Sequence, residues 1–245
     1  LTTERIGDMQ ARISLTGGPA GPQEPTMAHA MLAARARVLS YPGVDLLRAW
    51  ANEPDLPAFA AFGPARRAGV LYAAALSAER LRDHGRATAL ARRLLALAAG
   101  NPEATRQARL LAGDIALAAN NLGLAASLME PAVAAGAMPR PELLQLAQLR
   151  VREGKPDLAI DPLQTWVTRY PMDAAAWQAL AVAYRAQNQM LRAIRAEGEV
   201  QMARMDYAGA VDRFKAARSL SAKGSLEAVD HIEASIIDTR LRLAE

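Results

Sequence analysis

The stretch DAAAWQALAVAY at residues 173–184 decides the fold. Trp177, Leu180, Ala181 and Tyr184 follow one another at spacings of three, one and three, which places them on one face of an α-helix. Pro171 stands just before, where it ends the preceding helix. Shifting the sequence by 34 residues brings Leu143, Leu146, Ala147 and Ala159 over Trp177, Leu180, Ala181 and Ala193. One period earlier, Gly113, Ala125 and Ala132 take the places of Ala147, Ala159 and Trp166, while Arg109 stands where a large apolar residue is expected. Small residues thus recur 12 apart, as Gly113 and Ala125, Ala147 and Ala159, Ala181 and Ala193. One small residue on each arm of an antiparallel hairpin lets the two backbones approach where they cross. Trp177 and Tyr184, about two turns apart, are expected to fill the gap to the next hairpin. Gly198, Ala210, Phe214 and Ala217 repeat the pattern half a period late, so a helix around 190–204 is expected to serve two overlapping units.

Working outward, helical patterns are predicted at 27–40, 43–53, 64–83, 86–99, 103–119, 122–135, 141–153, 156–169, 173–187, 190–204, 207–220 and 225–244. The breaks carry turn residues: Pro42, Pro57, Gly63-Pro64, Gly85, Gly100, Asn120-Asn121, Gly154, Pro171 and Gly224. Short helices joined by short turns pack as antiparallel hairpins. Residues 1–13 form a further short amphipathic helix carrying Ile6, Met9 and Ile13 on one face. Residues 14–26 are a linker, since TGGPAGPQEPT at 16–26 is mostly Gly and Pro. The expected organisation is therefore helix 1–13, linker 14–26, N-terminal helices 27–63 and a repeat solenoid over 64–245.

Composition agrees with an all-α chain. Hydrophobic residues make up 51% of 245, aromatics only 4%, and Ala and Leu dominate the apolar set in place of strand-favouring Val, Ile, Tyr and Phe. The net charge of +4 lies in the first 100 residues, with 12 basic and 8 acidic side chains, whereas the remainder holds 17 of each. The repeats are neutral and carry no basic stripe with stacking aromatics, which argues against a nucleic-acid partner. With no Cys there is neither a disulfide framework nor thiolate chemistry. No run of about 18 uncharged apolar residues predicts a membrane span. A chain opening on Leu1 reads as a fragment or a processed product.

D-A-A-A-W-x-x-L-A-x-x-Y at 173–184, with Pro171 and Ala193, resembles the tetratricopeptide consensus. The resemblance covers roughly 103–220 and weakens over 64–102. It implies an all-α tetratricopeptide-like helical-hairpin solenoid that binds proteins. In that family the concave face is lined by the solvent-side positions of each first helix. Here these become Gln107, Asp114, Gln148, Arg152, Gln178 and Arg185. The face lacks the Lys and Asn set with which some members clamp a C-terminal carboxylate. An extended segment or a helix is the expected ligand.

The opening LTTERIGDMQARI is similar to the segment that follows the peptidase domain in BepA-type periplasmic zinc metalloproteases, where tetratricopeptide repeats come next. This resemblance implies a periplasmic protein active in outer-membrane protein assembly and quality control. Its partners would be barrel-assembly components and unfolded outer-membrane proteins. The chain holds no HExxH, so the zinc and the endopeptidase chemistry would belong to a peptidase domain upstream of Leu1. The repeats alone equally permit a scaffold or adaptor unrelated to any protease.

No catalytic, cofactor or metal residues are expected in this chain. His29, His84 and His231 lack helical ligand spacing. The Gly-rich stretch 17–21 follows no strand and precedes no Lys-Ser or Lys-Thr pair, so it is linker and not a phosphate loop. Arg66-Arg67 and Arg92-Arg93 read as solvated faces, and Glu197 with Glu199 or Asp157 with Asp161 as surface charge. Met27, Met31, Met129, Met190, Met202 and Met205 read as core filler.

Overall fold

The computed structural model describes residues 3–15, 25–40, 42–134, 138–221 and 228–245. Among them are thirteen α-helices and no strand: α1 Thr3–Leu15, α2 Met27–Leu39, α3 Val44–Asn52, α4 Pro64–Arg80, α5 His84–Ala98, α6 Pro102–Ala118, α7 Leu122–Ala134, α8 Arg140–Arg152, α9 Asp157–Arg169, α10 Ala174–Ala186, α11 Met190–Ala203, α12 Tyr207–Ser221 and α13 Ala228–Ala244. Two 3-10 turns, Glu53–Asp55 and Pro57–Ala61, fill what the sequence shows as a proline-marked break. Helix α1 continues to Leu15; of the expected linker 14–26, residues 16–24 lie outside the described residues and Thr26 caps α2.

One turn geometry is used five times. Arg82, Asn120, Gly154, Asn188 and Met205 all adopt positive φ, between 56° and 74°. After each, a backbone N–H reaches back five residues: Asp83 to Ala78, Asn121 to Ala116, Lys155 to Arg150, Gln189 to Tyr184 and Asp206 to Gln201. This is the Schellman closure, in which a left-handed residue turns the chain and satisfies the last carbonyls of the helix. Asp83, Asn121 and Asp206 then cap the following helix by accepting from the N–H groups of Arg86, Leu124 and Gly209. The left-handed positions 120, 154 and 188 follow the 34-residue period, and Met205 arrives half a period later.

Consecutive helices from α4 to α13 pack as neighbours. Helices α4, α6, α8 and α10 also touch one another in sequence, so the first helix of each hairpin contributes to one shared layer. Beyond α10 the alternation changes: α11 packs on α13. Helix α11 therefore pairs with α10 on one side and with α12 and α13 on the other, as the half-period pattern anticipates. Gly198 shows why, because a Cβ there would collide with the Phe214 ring of α12.

Two packing details differ from expectation. Gly113 is small because the Gln145 side chain of α8 lies over it, with Oε1 2.8 Å from where a Cβ would be, and the neighbour there is not the other arm of its own hairpin. Tyr184 looks backward: its hydroxyl accepts a hydrogen bond from Gln164 Nε2 on α9 of the preceding hairpin. In both cases contacts between hairpins compete with contacts within one.

Helix α2 lies against α4 and α6. Residues 68–78 of α4 are buried without interruption, since α2, α3, α5 and α6 all press on that helix. Gly69 permits the closest approach, where a Cβ would stand 3.1 Å from the Ala30 carbonyl oxygen. Met31, Ala34 and Val38 of α2 share one apolar core with α4, α5 and α6.

Candidate protein-binding face

The six expected face residues sit on α6, α8 and α10, and the structure divides them into two kinds. Gln107, Gln148 and Gln178 make no hydrogen bond with the described chain; Gln148 and Gln178 are exposed and Gln107 half-buried. Asp114, Arg152 and Arg185 are engaged by the protein itself.

Asp114 accepts a hydrogen bond from Gln145 Nε2 at 2.6 Å, and Arg35 of α2 stands 4.0 Å away. Crowding among α2, α6 and α8 raises the Asp114 carboxyl above its ordinary value, opposed by the Gln145 hydrogen bond and the Arg35 charge. Arg35 also donates to the Tyr72 hydroxyl at 3.2 Å. Helix α2 thus covers the α4–α6 end of the expected face. Arg152 donates to the Leu117 carbonyl in the last turn of α6, where a cation satisfies a helix C-terminus. Arg185 pairs with Glu197 of α11, which also lies 3.5 Å from Arg213 of α12.

The open part of the face is therefore at α8 and α10. Beside it, Gln178 and Arg185 of α10, Val200 and Gln201 of α11 and Arg213 of α12 line a cavity of ≈ 270 Å³. It exists because α11, not α10, supports the last pair of helices, leaving a channel between α10 and α12. Arg106, which donates to both Glu142 oxygens at 2.6 and 2.9 Å, further ties α6 to α8 and holds the spacing of the row.

Sequence reading missed Arg35, Tyr72 and Gln145, whose roles depend on helices far apart in the chain. Gly113 was the available signal for Gln145. It also missed a basic, aromatic cavity where α8 and α10 begin, lined by Arg140, Trp166, Arg169, Tyr170 and Arg204. Its signal was the Trp-x-x-Arg-Tyr cluster at 166–170. Asp173 at its edge accepts from Arg140 Nε at 2.6 Å, from Trp166 Nε1 at 2.9 Å and from the Ala176 N–H at 3.2 Å. Those bonds, the Arg140 one foremost, hold its carboxyl at about 2 against the penalty of burial.

Among the described residues no group of three His, Asp or Glu side chains could hold a metal ion, and no helix is long and apolar enough to cross a membrane.

This geometry defines a class: an all-α, tetratricopeptide-like solenoid of antiparallel hairpins in which one helix of each hairpin contributes to a shared face. No family model matches the sequence, and no curated protein does. Among solved structures the chain is similar to the crystal structure of a tetratricopeptide repeat protein from Parabacteroides merdae, at 15% identity and a TM-score of 0.47, over 95% of this chain and 89% of that one.

Proposed function

We propose that this chain is a protein–protein interaction module whose partner lies along the α8–α10 end of the face. The observation that carries the reading is the pair Gln148 and Gln178. They are exposed on successive first helices, without a hydrogen bond among the described residues, and Gln178 borders the channel over α11. A repeat solenoid offers an extended or helical segment several such positions at once, with affinity drawn from a few anchors.

The finer reading is that of the repeat domain of a BepA-type periplasmic zinc metalloprotease, recruiting barrel-assembly components and unfolded outer-membrane proteins. It rests on the likeness of LTTERIGDMQARI to the segment after that peptidase. Zinc would reside in the peptidase domain.

Photo-crosslinking amino acids placed at Gln148, at Gln178 and at Thr165, an exposed position on second helix α9, test both levels in the native cell. Adducts at 148 and 178 but not at 165 are expected. Equal labelling at 165 would remove the face assignment. Adducts with barrel-assembly proteins would support the finer reading, whereas adducts confined to cytoplasmic proteins would leave the module and remove the protease connection.

A further inference from the structure

A second site lies where α8 and α10 begin and α9 and α11 end, around an open cavity of ≈ 1110 Å³. Its wall is aromatic and apolar. The Trp166 and Tyr170 rings lie 4.5 Å apart, Tyr170 is 42% exposed, and Met172 is 59% exposed beside them. Together these partly open side chains offer a complementary surface for one bulky side chain.

The rim is cationic. Arg140, Arg169 and Arg204 all line the cavity, and Asp173 is its sole carboxylate among the described residues. Asp173 is already satisfied by Arg140, Trp166 and the first turn of α10. Arg169 lies 5.5 Å over the Tyr170 ring, and neither Arg169 nor Arg204 has an ion-pair partner among the described residues. The N–H groups of Ala174 and Ala175, also on the cavity wall, find no acceptor within the described chain. Two guanidinium groups without an ion-pair partner among the described residues, one of them stacked on Tyr170, and two free amides beside an aromatic wall call for carboxylates flanking a large apolar side chain.

We propose that this cavity binds an acidic segment of a partner protein, with an aromatic or large aliphatic residue seated against Trp166, Tyr170 and Met172 and neighbouring carboxylates held by Arg169 and Arg204. The site rests on the reading of the chain as a protein-binding module and extends it to a second surface. Among the described residues, Gln178 alone lines both cavities.

The test is fluorescence anisotropy of the full chain with a dye-labelled peptide carrying Asp-Phe-Asp. Comparison probes carry Lys-Phe-Lys or Asp-Ala-Asp, and a single-stranded oligothymidylate is the fourth. The acidic aromatic peptide is expected to bind with a Kd on the order of 10–100 µM, weakening severalfold as salt rises. Arg204→Glu and Arg169→Glu should each weaken it about tenfold, and Met172→Ala about threefold, consistent with charge-assisted and apolar contacts of ordinary size. All three side chains are solvent-exposed, and circular dichroism checks that each variant folds. Equal binding of the Lys peptide, tighter binding of the oligonucleotide, unchanged affinity in both Arg variants, or no binding up to about 1 mM would each overturn the proposal. Crosslinking at Gln148 reads the other surface independently, so adducts there without peptide binding would sink this cavity alone.

Discussion

Gly198 and Asp173 show how single residues set the packing. At Gly198 the absence of a Cβ leaves room for the Phe214 ring, and both residues are buried. Gly198→Ala therefore forces a rigid aromatic ring to move, although Ala is the better helix former. We expect a loss of about 1–3 kcal/mol in urea unfolding. Gly113→Ala meets only the end of the Gln145 side chain and should cost less. Asp173 supplies a pH test. Its folded pKa of about 2 lies below the ordinary carboxylate value, so its contribution is complete above about pH 4 and is lost as pH falls toward 2. Arg140 is half-exposed, so that contribution is about 1–2 kcal/mol after screening. Asp173→Asn should be less stable than the parent at pH 7, with the gap closing as pH approaches 2. A gap independent of pH would refute the ion-pair account.

At the scale of elements, the five Schellman turns explain how hairpins repeat although their side chains diverge. Gly and Asn occupy three of the left-handed positions without difficulty, whereas Arg82 and Met205 carry a Cβ into a strained region. Met205 is 68% exposed and packs little, so Met205→Gly should raise stability by about 0.5–1 kcal/mol, read as a higher urea midpoint. The last helix is held differently. Helix α13 places Ile237 and Leu241 in a core with Phe214, and Arg240 pairs with the buried Glu199 of α11 while Glu233 receives Arg195 at 2.6 Å. Arg240→Ala would strand Glu199 without a partner, at a cost of about 3 kcal/mol. Amide exchange in α13 should accelerate accordingly, and Glu199→Gln in the same background should restore most of the protection.

Over the whole molecule, stability is arranged in stretches. One core joins α2 to α6, and a separate one joins α11, α12 and α13, with further clusters between. Each hairpin depends chiefly on its neighbours. Gly198→Ala should therefore speed amide exchange through α11–α13 while leaving α4–α6 unchanged. Uniform acceleration would mean a single cooperative unit.

Local code was enough to read the helices and their period. Spacings of three and four between apolar residues, together with Asn, Gly and Pro at the breaks, specify where each helix begins and ends because those preferences act within a few residues of chain. Even the half-period shift at Gly198 was visible, since it too is a spacing. The candidate site was legible only as positions. Residues Gln107, Gln148 and Gln178 emerged as uncommitted, while Asp114, Arg152 and Arg185 proved to be held by Gln145, Leu117 and Glu197. Helix α2 covers one end of the face, and Arg169 and Arg204 converge from separate hairpins on one cavity. Those facts arise from tertiary structure alone, because a side chain's partner is set by which distant helices pack together and at what crossing, which a linear spacing does not encode.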